Sequence, residues 1–137
     1  MNATILALTG YIFWVMLLLL ALATYRSVFS QMQKRKSLVF KADGSDVGDI
    51  GQRLTRAHLN CVECFPFIGG ILLLALATDS STITNGLAFV LLGARVLQSL
   101  VHIVSISNIA ISVRFVFFLV QFAICGYWIV KLLEKFM

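Results

Sequence analysis

Arg53, Arg56, Asn60 and Glu63 stand in one short run, RLTRAHLNCVECFPF, over residues 53–67. At about 100° per residue, a helix gathers these four within an arc of about 80° and leaves Leu54, Cys61, Val62 and Phe65 mostly outside it. An apolar segment, residues 68–77, follows at once. Two guanidiniums, an amide and a carboxylate therefore enter a membrane-length helix on one face. Polar groups at such depth are costly unless they face protein or water, so an ordered row of them marks a candidate site. Arg95, Gln98 and His102 have i, i+3, i+7 spacing and form a second narrow stripe. Glu63 lies ten positions beyond Arg53, and Arg95 ten positions before Ser105. At about 1.5 Å per residue both come to roughly 15 Å from the same end of the bundle, so depth alone pairs Glu63 with Arg95. Arg114 adds a further cation at that end.

Together Arg53, Arg56, Asn60, Glu63, Arg95, Gln98, His102 and Arg114 describe a cleft open to one side of a membrane. Arginine forks hold carboxylates bidentately, and four of them point to a ligand with more than one negative group. Glu63 suits a ligand ammonium or Arg95, and Asn60 suits an amide. A peptide with two carboxylates and one amine uses the whole set. The competing reading is an internal salt-bridge network that does no more than fix helix register.

The elements that must carry these stripes follow from composition. Of the 137 residues, 60% are hydrophobic and 12% charged, which is outside the range of soluble domains. Four apolar runs predict an all-α integral membrane protein, one domain over residues 1–137, with transmembrane helices at about 5–25, 50–77, 83–105 and 109–133. No Lys or Arg precedes the first run, so it reads as a retained transmembrane helix and not a signal peptide. The first loop, residues about 27–50, carries Lys34, Arg35, Lys36 and Lys41. That cluster assigns the loop to the cytoplasmic side and the N-terminus to the outside. It suits anionic membrane lipid headgroups, and no surface remains for nucleic acid. Asp46 or Asp49 is expected to cap the second helix.

Cys61 and Cys64 form a CxxC without a second Cys/His pair, so packing residues are expected there and no metal site. Phe115, Phe117, Phe118 and Phe122 read as lipid-facing or packing residues. A small transporter would continue its polar residues through the far half of the bundle. Residues 71–77, 87–92 and 115–120 offer no such path.

The run from Arg53 to Phe67 resembles the helix-two signature of the MAPEG family, the membrane-associated proteins in eicosanoid and glutathione metabolism. Arg95-Val followed by Gln98 and His102 is similar to that family's helix-three motif, and the likeness extends over the whole chain. The resemblance implies a homotrimer of four-helix bundles that binds glutathione between neighbouring subunits. Arg56, Asn60 and Glu63 would hold glutathione, with Arg53, Arg95, Gln98 and His102 contributing. Arg114 would stabilise the thiolate, with Ser112 as the alternative donor. Family enzymes commonly carry tyrosine where Cys64, Gln98 and His102 stand here. The implied activity is a glutathione transferase or peroxidase acting on a lipophilic small-molecule substrate, and the alternative is a non-catalytic member that binds glutathione or a lipid. A bacterial inner membrane and an endoplasmic reticulum membrane both fit.

Overall fold

The computed structural model describes residues 2–34 and 39–137; Arg35 and Lys36 of the basic cluster lie outside the described residues. Four helices follow one another: α1 (Ala3–Met32), α2 (Gly48–Ala77), α3 (Ser81–Val104) and α4 (Asn108–Phe136). Each is long and apolar enough to cross a membrane. Their starts have local causes. The Asn2 side chain accepts from the Ile5 N–H at 3.1 Å, and Ser107 Oγ accepts from the Ala110 N–H at 3.1 Å, which satisfies orphan donors of α1 and α4.

α2 starts differently from the sequence expectation. Val47 occupies the cap position without a side-chain bond, and Asp46 instead accepts from the Lys41 N–H at 3.1 Å. The loop folds back on itself and takes up that carboxylate. Asp49 sits in the first turn, where negative charge complements the helix dipole. Gly44, at φ 74°, lets this loop lie on α2: a Cβ there would come within 2.6 Å of Thr55 Oγ1.

α1 also runs on to Met32, past the expected end near Tyr25. No glycine or proline stops the chain over residues 26–33. Tyr25 stacks on Phe29 at 6.1 Å, and its hydroxyl donates to the Val47 carbonyl at 3.0 Å. The extra turns are thereby tied to the entry of α2.

α2 and α3 form the middle of the bundle. α1 packs against both, α4 packs on α3 and the edge of α2, and α1 and α4 do not meet among the described residues. Tyr11, Ile68, Leu72, Leu91 and Trp128 are buried in the core. All three cysteines are free and buried, and Cys61 Sγ lies 3.0 Å from Ser99 Oγ. At the end away from the first loop, Asn85 Oδ1 accepts from the Thr4 N–H at 3.0 Å, and Lys135 Nζ donates to Ser80 Oγ at 2.8 Å.

Tyr11 joins α1 to α2 by donating from its hydroxyl to the Cys61 carbonyl at 2.6 Å. Its ring also packs against Phe65, with centroids 5.3 Å apart. Tyr11→Phe keeps the ring and loses the bond. Thermal unfolding in detergent is expected to register a loss of about 1 kcal/mol.

Candidate ligand cleft

At the first-loop end, α2, α3 and α4 leave a cleft of about 310 Å³ lined by Asn60, Gln98, His102, Ile111, Arg114, Phe115 and Phe118. The periodicity of each helix accounts for its contribution. Gln98 and His102 are one turn apart on α3, and Ile111, Arg114, Phe115 and Phe118 form one stripe on α4. The two walls differ in character. One is a row of polar side chains; the other is an aromatic ladder on which Phe115, Phe118 and Phe122 stack at 6.3 and 5.7 Å. Phe115 and Phe122 are exposed on the outer surface of the bundle, so the ladder leads from the cleft to the apolar exterior.

Asn60, Gln98 and His102 each have an acceptor atom engaged from behind. Arg95, fully buried, donates through Nη2 to Asn60 Oδ1. Gln121 Nε2 donates to Gln98 Oε1 at 2.8 Å and to the Phe117 carbonyl at 2.9 Å, and that carbonyl fixes which way the Gln121 amide points. Arg114 Nη1 lies 2.7 Å from His102 Nδ1, and a guanidinium can only donate. Asn60 and Gln98 are left with amide nitrogens, and His102 with an Nε2–H. The polar wall therefore offers donors, and the Arg114 guanidinium adds positive charge beside His102. Such a surface fits groups that only accept, such as carboxylates and thiolates.

A family model for the MAPEG family matches residues 4–133, nearly the whole chain. The chain belongs to the MAPEG family. No curated protein and no solved structure matched it. As a MAPEG protein with four membrane-length helices, it is a multi-pass membrane protein of the eicosanoid and glutathione metabolism type.

In this MAPEG chain the residues singled out in sequence divide into five groups. Asn60, Gln98, His102 and Arg114 meet at the cleft. Arg95 stands behind it, and its partner is Asn60; the pairing with Glu63 expected from depth is not formed. Depth along a helix fixes height but not azimuth: Asn60 is half-buried toward α3, whereas Glu63 is exposed on the free face of α2. Arg53 does not line the cleft, because its Nε donates to the Ile103 carbonyl at 2.8 Å. That carbonyl belongs to the last turn of α3, so Arg53 caps the helix and complements its dipole. Ser112 Oγ donates to the Asn108 carbonyl at 3.1 Å, lies exposed and is not among the lining residues.

Arg56 and Glu63 share an exposed seam. Arg56, Glu63, Gly70 and Ala77 recur every seven residues, with Leu59, Pro66 and Leu73 between them, and all seven are exposed. The seven-residue recurrence places them on one face of α2. A Cβ placed on Gly70 would meet nothing within 4 Å, so that position is open for a close approach.

Sequence reasoning does not single out Gln121, although a lone amide in the apolar run of residues 115–124 is itself a signal of a buried polar partner. Arg53→Gln is expected to lower stability by about 1–2 kcal/mol, since it removes a charge-assisted bond to a helix end. Thermal unfolding in detergent measures that loss.

Proposed function

We propose that this protein uses glutathione as co-substrate, as a transferase or peroxidase acting on a lipophilic electrophile. The observation that carries the reading is the donor-facing polar wall beside an aromatic ladder. Glutathione brings two carboxylates and a thiol that reacts as thiolate, all acceptors. Asn60, Gln98 and His102 would donate to such groups, and Arg114 stands at the same cleft to favour the ionised sulfur. An unperturbed thiol has a pKa of about 8.5, so a neighbouring guanidinium raises the thiolate fraction at neutral pH. The thiolate would then attack an electrophilic carbon, or reduce a hydroperoxide, on a substrate reaching the cleft along Phe115, Phe118 and Phe122.

The α2 seam supports a homotrimer as the working unit. Arg56 and Glu63 are charged groups on an exposed helix face, about 10 Å apart along the axis, and lipid contact at that depth is costly. Packing of α2 seams from neighbouring copies would remove the charges from lipid. Arg56, Asn60 and Glu63 would then contribute to a glutathione site completed by the neighbouring copy. Glu63→Leu is expected to shift the detergent-solubilised protein toward monomer, as measured by light scattering.

A second reading, binding without efficient turnover, is favoured by the cleft composition: no tyrosine hydroxyl stands among its lining residues. Calorimetric titration of glutathione into the detergent-purified protein separates these readings when run beside conjugation of 1-chloro-2,4-dinitrobenzene. Saturable binding with turnover supports the enzyme, and binding alone supports the second reading. Absence of binding to a folded oligomer sinks both.

A further inference from the structure

Arg114 and His102 meet through Nη1 and Nδ1 at 2.7 Å. The guanidinium has five donors and no acceptor, so the imidazole nitrogen must accept. Nδ1 then carries no proton, and the ring is the neutral tautomer with hydrogen on Nε2. This contact joins α3 to α4 at the cleft, where both side chains are lining residues. The charged groups that act on the ring are Arg114 from α4, Arg56 from α2 and Arg95 from α3 itself. No carboxylate is among them.

We infer that His102 is the positioning residue for Arg114: its Nδ1 holds the guanidinium in register, and protonation of that nitrogen releases it. The geometry requires this coupling. Once Nδ1 bears a proton it becomes a donor facing a donor, and the bond cannot persist. A charged ring would also stand directly against the Arg114 guanidinium. Arg114 would then turn away from the ring by rotation about its own flexible stem. A released Arg114 remains charged, so the site keeps its attraction for anions while losing the fixed direction of one donor. The consequence for turnover rests on the glutathione reading above; the tautomer and the release do not.

The first test therefore needs no ligand. The chain has two histidines, so His58→Gln leaves a single imidazole for nitrogen-15 NMR of the detergent-solubilised protein. At neutral pH the expected spectrum has an unprotonated Nδ1 and a protonated Nε2, and Arg114→Leu abolishes that bias. On acidification, the Arg114 side-chain resonance is expected to move with the same midpoint as the His102 ring. A protonated Nδ1 at neutral pH, a tautomer mixture indifferent to Arg114→Leu, or separate midpoints would each overturn the inference.

The second test uses turnover. His102→Leu is expected to lower kcat about tenfold to a hundredfold, the scale of a misdirected catalytic group, in addition to the weaker glutathione binding that loss of its Nε2 donor brings. His102→Asn offers Oδ1 in place of Nδ1 and should recover most of that loss. It should also remove one of two ionisations from the acid limb of the kcat profile, leaving that of the thiol, because an amide does not titrate. A kcat untouched by His102→Leu would overturn the positioning role. If glutathione does not bind while the NMR result holds, the proposed function fails and the His102–Arg114 coupling stands.

Discussion

Asn60→Asp is expected to make the protein more stable and to remove its ligand binding. Arg95 is fully buried, its Nε and Nη1 find no partner, and the bond it makes is to a neutral amide oxygen. No carboxylate lies within ion-pair distance of it among the described residues. A buried charge in that condition is expensive. An aspartate at position 60 keeps the acceptor and adds a counter-charge, which turns a bond from a cation to a neutral oxygen into an ion pair. Unfolding in detergent should shift upward by about 1–2 kcal/mol. The cleft suffers the opposite change, because an amide donor becomes a carboxylate acceptor facing an anionic ligand. Loss of one donor to a charged group is worth about 1.5–3 kcal/mol, or roughly tenfold to more than a hundredfold in affinity, before repulsion is added. Calorimetry and thermal unfolding on the same sample check both signs. A substitution that lowered stability as well as binding would mean that Asn60 does more for Arg95 than accept one bond.

On the proposed glutathione chemistry, Arg114→Leu is expected to affect turnover most. Removing a preorganised donor aimed at developing or resident negative charge typically costs about 10²–10³ in kcat. Leucine preserves apolar contact with Ile111 and Phe115 on the same stripe of α4, so folding should survive. Glutathione affinity should fall less than kcat, since Asn60, Gln98 and His102 remain at the wall. The measurement is steady-state conjugation across pH. The mutant should recover part of its rate at alkaline pH, where the thiol ionises without help. A variant whose rate deficit is the same at every pH would remove thiolate stabilisation from Arg114 and leave it a binding role.

These two substitutions act through contacts of different visibility in the chain. The row Arg53, Arg56, Asn60 and Glu63 was legible because helical spacing needs only residue numbers. Four apolar runs, the family motif and the stripe of Arg95, Gln98 and His102 were legible for the same reason: hydropathy and periodicity are local properties. Local rules also suggest that neighbours on a stripe share one task, and here that expectation fails. Arg53 and Arg56 are one turn apart, yet Arg53 caps α3 while Arg56 lies on the free seam. Asn60 and Glu63 differ by a small rotation about α2, and that rotation separates a half-buried ligand of Arg95 from an exposed carboxylate.

By itself, then, the amino-acid order determined four membrane-length helices, the end of the bundle that holds the polar groups, and membership of the MAPEG family. It determined the residue types of the cleft and their heights along each helix. Tertiary structure decided their partners. Whether Asn60, Gln98 and His102 present donors or acceptors depends on what stands behind each: Arg95, Gln121 and Arg114. Two of those partners come from α4, docked against α3 through contacts that no spacing within one helix specifies. The polarity of a side-chain amide or imidazole is undefined until a partner claims one of its two faces. That claim is made across helices, where only the packed bundle sets the distance.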